Sequence, residues 1–216
     1  MKRYPSCYNT PVKLAIVDYG AGNLRSVARA VTHAGGEPLI TSSPRDVAAA
    51  EALIVPGVGA AADTMDNLRR HGLVAPIREY IASGRPFLGV CMGQQVLFDV
   101  SEEGGEHPCL GILPGRIVRL PAGLKVPHMG WNQVHIVRPN PIFDGIPDGS
   151  YFYFVHSYYP RPDDPSVVVG ETEYGVTFPS VVARDNIVAT QFHPEKSGAM
   201  GLRMYGNFLC IAAAVP

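Results

Sequence analysis

The sequence predicts an α/β protein: an open, mainly parallel central sheet flanked by helices, with additional antiparallel hairpins in the second half. Three observations carry this. Up to about Gly104, short apolar runs alternate with helix-compatible segments, the pattern of parallel strands joined by crossover helices. Several of those runs break into glycine-containing turns, as at Pro56-Gly57-Val58-Gly59, before a helical stretch begins. Further on, β-prone segments separated by turn residues replace the helices.

Taken in order, residues 13–18 form a buried-strand pattern that ends in Tyr19-Gly20-Ala21-Gly22-Asn23, with a helix from 24 to about 34. Arg25 stands where a dinucleotide fingerprint needs its third glycine, which argues against NAD binding. A short strand near 38–40 precedes a buried one at 52–55. Helices are expected over 60–70 and 74–83, with Gly72 and Gly84 as their stops. Residues 86–90 read as a buried strand and 92–99 as the helix after it. In the second half, 115–119, 131–135 and 151–155 are extended, and 173–177 is a turn between strands. The runs 181–183 and 187–192 flank the turn Arg184-Asp185-Asn186, and a helix over 199–213 closes the chain.

The chain has 216 residues, enough for one large core, and no linker divides it. Residues 1–11 are polar and turn-prone, and 1–12 are expected to extend a single domain over 13–216. With 18 basic and 19 acidic side chains there is no basic stripe for nucleic acid, and no apolar run is long enough to span a membrane. No secretory h-region is evident. Cys7, Cys91, Cys109 and Cys210 show neither C-x-x-C nor zinc spacing, so they are expected to be reduced, in a cytoplasmic protein without a bound metal. Packing is the expected role of Cys109 and Cys210.

The chemistry centres on Gly89-Val90-Cys91-Met92-Gly93-Gln94-Gln95. A cysteine at a sharp strand-to-helix turn, with glycines two residues before and after, has the form of a nucleophile elbow. The helix N-terminus there supplies unpaired N–H groups that favour a thiolate. Downstream, the strand over 187–192 ends at His193-Pro194-Glu195, and residues two apart in extended chain face the same side. A thiol, an imidazole and a carboxylate at strand ends are the parts of an activated-nucleophile system. Pro56-Gly57-Val58-Gly59 could turn N–H groups toward an oxyanion, together with that of Met92. Gln95 falls one helical turn after Cys91. His128-Met129-Gly130-Trp131-Asn132 and Tyr153-Phe154-Val155-His156-Ser157-Tyr158-Tyr159 read first as core strands and second as interface.

Together these motifs resemble the set found in triad-type (class I) glutamine amidotransferases. Within that superfamily, the stretches Asp18 to Asn23, His128 to Asn132, Phe154 to Tyr158 and Glu195-Lys196-Ser197 resemble the glutaminase subunits of imidazole glycerol phosphate synthase, from about Lys13 onward. The resemblance implies hydrolysis of glutamine to glutamate and ammonia without a cofactor. It implies Cys91 as nucleophile, His193 as acid/base and Glu195 as its orienter, with Val58 and Met92 at the oxyanion. Gly57, Gly59, Gln95, Glu103, Ser157 and Tyr158 are implied at the substrate, and Asn23, Trp131, Asn132 and Lys196 on the partner-facing side. The implied partner is a (β/α)8-barrel cyclase subunit in a heterodimer, which takes up the ammonia in histidine biosynthesis. Another ammonia-delivering subunit, a stand-alone cysteine hydrolase and a silent binding module stay open as alternatives.

Overall fold

The computed structural model describes residues 12–214. Of the expected extension, only Val12 falls within them, where it packs against the core; the rest of it, Cys7 included, lies outside the described residues.

The first half alternates as expected. Strand β1 (Lys13–Val17) is followed by helix α1 (Leu24–His33), then β2 (Glu37–Thr41), α2 (Pro44–Ala49) and β3 (Ala52–Gly57). Helices α3 (Ala61–Arg70) and α4 (Val74–Ala82) lead to β4 (Phe87–Cys91) and the single-turn α5 (Met92–Gln95). Asn23 caps α1 by accepting from the Ser26 N–H at 3.3 Å. Helix α2 was not anticipated, although its start is written in the sequence: Ser43 accepts from Asp46 N–H at 3.3 Å and Pro44 takes the first helical position. Gly72 and Gly84 stand after α3 and α4 with φ of 66° and 78°, the left-handed stops expected of them.

The expected helix over 92–99 ends after one turn. Val96, Leu97 and Phe98 are fully buried. Their carbonyls accept from the backbone of Leu110, Ile112 and Gly111 at 2.8, 2.8 and 2.9 Å, so pairing with distant chain replaces the helical bonds. Phe98 opens β5 (Phe98–Ser101), which with β6 (His107–Pro108), β7 (Leu113–Arg119) and β10 (Tyr158–Pro162) forms a second sheet ordered β10-β7-β5-β6.

The remaining strands are β8 (His128–Ile136), β9 (Ser150–His156), β11 (Val168–Glu173), β12 (Thr177–Arg184) and β13 (Ile187–Thr190). They extend the parallel sheet into one nine-stranded sheet ordered β2-β1-β3-β4-β13-β12-β11-β8-β9. Pairing is parallel from β2 to β13 and antiparallel from β13 to β9. The last helix, α6, spans Gly198–Ala213. Side-chain alternation divides the core over the two faces. Ala15, Val17, Leu53 and Val55 meet α2 to α4 and the second sheet, while Leu14, Ile16, Leu88 and Val90 meet α1 and α6.

Cys91 and Cys109 are free and buried, as expected of reduced cysteines. Cys210 is disulfide-bonded, so neither a thiol nor a mere packing role holds there. Among the described residues, no helix is long and apolar enough to cross a membrane.

Candidate active site

Three turns meet where the parallel strands end. The register sets Gly57 of β3 opposite Cys91 of β4, and Val90 opposite Thr190 of β13. The chain after each strand therefore opens at the same edge of the sheet, outside the strands' carboxyl ends.

Cys91 is held at φ 55°, ψ −105°, outside the regions open to ordinary side chains. Such a residue costs on the order of 1–3 kcal/mol and persists only where its surroundings over-determine it. Here they do. A side chain at position 93 would collide with the Val55 carbonyl oxygen, and one at 89 would meet the backbone of Gly93. The G-x-C-x-G pattern is thus a close-packing requirement that lets α5 sit directly on β3 and β4. Because α5 is a single turn, it offers a few N–H groups beside the sulfur and little of the field of a long helix.

The second strand end behaves differently from the extended chain the sequence suggested. Past Thr190 the backbone folds into a tight 3-10 turn over Pro194–Lys196. This brings His193 Nδ1 to 2.8 Å from Glu195 Oε1, with both side chains almost wholly buried. Ser197 fastens the turn: its hydroxyl donates to the His193 carbonyl at 2.6 Å and accepts from Tyr153 N–H at 3.0 Å. Tyr205 of α6 donates to Glu195 Oε2 at 3.5 Å. Burial, then the Glu195 charge, push the Tyr205 hydroxyl well above its ordinary pKa, so it stays a donor. Burial works against a charged His193, but the Cys91 sulfur and the Glu195 carboxylate outweigh it and raise the imidazole to about 10. Among the described residues, His193 Nε2 has no hydrogen-bond partner of ordinary geometry. A thiol facing an imidazole that a carboxylate orients is equipped for nucleophilic attack and proton transfer.

A cavity of about 380 Å³ opens at Cys91. Val58, Gly59 and Met92 line it from the turns after β3 and β4, and Gln95 and Glu103 from beyond them. Ser157, Tyr158 and Lys196 complete the predicted residues found there. Gly57 does not line it. A side chain at 57 would run into the Tyr19 hydroxyl and Met92, so this glycine is packed beneath the turn. Glu103 Oε2 accepts from the Ala61 N–H at 3.2 Å and so caps α3, which has no cap of its own. Burial holds its carboxyl above the usual range, against the Ala61 hydrogen bond.

Sequence reasoning missed Gln191, whose Nε2 lies 3.8 Å from Cys91 Sγ and whose Oε1 accepts from Gln95 at 3.0 Å. It also missed Tyr205 and Ser197. Gln191 carried a signal two residues before His193, and Ser197 one in the stretch Glu195-Lys196-Ser197; Tyr205 carried none. The proposed partner-facing residues divide. Trp131 is 55 % exposed and meets Tyr153 edge-on at 6.1 Å, with Lys196 Nζ 5.8 Å from the same ring. Met129 and Tyr151, also exposed, extend this face of β8 and β9, while Phe152 and Phe154 alternate into the core. Asn23 is occupied as a helix cap, and Asn132 turns inward to donate to the Glu173 carbonyl at 2.8 Å.

This elbow, turn and cavity define the class, and comparison with known proteins agrees. A sequence model described as glutamine amidotransferase class-I matches residues 15–212. A crystal structure of a glutamine amidotransferase, 22 % identical, superposes with a TM-score of 0.74 over 93 % of this chain and 98 % of its own. The imidazole glycerol phosphate synthase subunit HisH of Dehalococcoides mccartyi is 55 % identical over 199 residues, 92 % of this chain and 97 % of that protein. The protein of the same name from Desulfitobacterium hafniense is 51 % identical over 195 residues, 90 % and 92 % of the two chains. The chain belongs to the class-I glutamine amidotransferases and, within them, to the HisH family of imidazole glycerol phosphate synthase subunits.

Proposed function

We propose that this chain is the glutaminase subunit of an imidazole glycerol phosphate synthase and that Cys91, His193 and Glu195 carry the reaction within one domain over residues 13–216. The observation that supports this most is the strained Cys91 at the mouth of the cavity with the His193–Glu195 pair, 2.8 Å apart, behind it. His193 already holds the Cys91 proton when the sulfur adds to the side-chain carbonyl carbon of glutamine. The N–H groups of Val58 and Met92 receive the oxyanion. On collapse the C–N bond breaks, His193 returns the proton to the leaving nitrogen, ammonia departs, and a thioester remains. Water, deprotonated by His193, then cleaves the thioester to glutamate and restores the thiol. Gln95 and Glu103, with backbone near Ser157 and Tyr158, hold the α-amino and carboxylate groups. The Glu195 carboxylate keeps the imidazole's proton on Nδ1 throughout.

Ammonia released to water is lost, so the exposed aromatic face is the natural dock for an acceptor subunit. In this reading Trp131, with its neighbours Met129 and Tyr151, meets a (β/α)8-barrel cyclase, and the cytoplasmic heterodimer serves histidine biosynthesis. The Val58 peptide is the gate. Gly59, at φ 94° with open space around it, lets the turn rotate, whereas Gly57 is packed against Tyr19. The test measures glutamate release by the chain alone and with the cyclase subunit plus its nucleotide ligand, with Cys91→Ala as control. A large, Cys91-dependent rise in the complex is expected. Equal, robust turnover without the partner points to a stand-alone hydrolase instead.

A further inference from the structure

A line of hydrogen bonds runs from the outer strand β8 to the reactive sulfur. At its outer end Asn132 Nδ2 lies 3.2 Å from His128 Nε2. His128 Nδ1 is 2.9 Å from His156 Nε2, and His156 Nδ1 is 2.9 Å from the Tyr158 carbonyl oxygen. That same oxygen accepts from Gln95 Nε2 at 2.9 Å. Gln95 Nε2 also reaches Gln191 Oε1 at 3.0 Å, and Gln191 Nε2 lies 3.8 Å from Cys91 Sγ.

Only one assignment of protons satisfies every link. A carbonyl oxygen only accepts, so His156 carries its proton on Nδ1. A neutral His156 then accepts at Nε2, which places the His128 proton on Nδ1. His128 Nε2 becomes the acceptor for Asn132, whose other N–H serves the Glu173 carbonyl. On the far side, the Tyr158 oxygen fixes the Gln95 amide, because only an N–H can point at it. Gln191 must then turn its oxygen to Gln95 and its N–H to the sulfur. Both rings are suited to staying neutral. Burial above all draws His156 down to about 3 and His128 to about 4. His128 is also clamped by stacking on Tyr174 and Phe154, with ring centroids 4.0 and 5.0 Å away. Gln95 and His156 both line the cavity, and Gln95 Oε1 has no partner among the described residues.

We propose that His156, oriented by His128, is a positioning residue for the substrate. Through the Tyr158 carbonyl it holds the Gln95 amide so that its oxygen is left for the α-ammonium group of glutamine, and holds the Gln191 N–H at Cys91. This rests on the reading of the chain as a glutaminase. Neither histidine touches the reacting atoms, so the effect falls on substrate binding more than on turnover.

Two measurements test it. Nitrogen-15 NMR of the labelled chain should find both rings neutral from pH 6 to 8 with the proton on Nδ1; a proton on Nε2 of either ring overturns the relay without reference to activity. In the complex with the cyclase subunit, His156→Phe is expected to raise the KM for glutamine about tenfold or more, the scale of one hydrogen bond to a charged group, with kcat changed less than about threefold. His156→Asn, whose amide N–H can replace Nδ1, should return KM most of the way. His128→Phe, which keeps the stacking and loses the donor, should give a smaller rise and stands in if His156→Phe does not fold. An unchanged KM in both Phe variants, or equal impairment by Phe and Asn, sinks the proposal. A wild-type complex without glutaminase activity counts against the function instead, and the tautomers then judge the relay alone.

Discussion

The two halves of the nine-stranded sheet supply different parts of the site by different means. The parallel half delivers Cys91 through a motif contained in five residues, Gly89 to Gly93, in which the glycines let one turn of helix sit on β3. The antiparallel half delivers His193 and Glu195 through a turn held by Ser197 at its end and by two other elements, through Tyr153 of β9 and Tyr205 of α6. Yet one device recurs. A side chain at position 201 would strike the Pro194 carbonyl, much as one at 93 would strike that of Val55. In both halves a glycine lets a helix approach the strand end closely enough to set a reactive group. The seam between β4 and β13, where the halves meet in parallel register, is where their products face each other.

The sharpest way to break this comparison is to fill both contacts. Gly93→Ala and Gly201→Ala are each expected to cost more than about 4 kcal/mol in urea unfolding, since backbone is struck in both cases. If Gly201→Ala proves harmless, the antiparallel half positions its residues without a close helix approach. Next in size, Glu195→Gln should lower kcat about a hundredfold or more by loosening the His193 tautomer, while Tyr205→Phe, which removes only the 3.5 Å contact, should lower it less than about threefold. Steady-state kinetics of the two separates the carboxylate's work from that of its support.

Acid distinguishes the halves as well. His128 and His156, both on the antiparallel side, have pKa values lowered by burial to about 4 and about 3, against about 6.5 when unfolded. Unfolding therefore takes up protons below pH 6.5, and the stability they contribute falls as pH drops from there toward 4. The pH dependence of the urea midpoint in that window should diminish by about one proton in His156→Phe. The smallest effect belongs to the elbow. Cys91→Gly relieves the φ of 55° and is expected to stabilise the inactive protein by about 1 kcal/mol relative to Cys91→Ala. No difference between the two would mean the turn carries little strain.

What could be read from residue order alone follows from the range of the forces involved. The strand-helix alternation of the first half, the elbow at Cys91, the stops at Gly72 and Gly84 and the nearness of His193 to Glu195 all rest on neighbours a few residues apart, where backbone sterics and periodicity act directly. Pairing across the chain settled the rest. Helix α5 ended early because residues near 111 captured the carbonyls that its next turn needed. Gln191 met Cys91, and Gln95 met Tyr158, across separations of 100 and 63 residues. Trp131 stayed on the surface while Phe152 and Phe154 went inward, because strand register, not hydrophobicity, chose which face each side chain occupies. Such contacts depend on where the whole sheet places distant segments, and no local pattern encodes that.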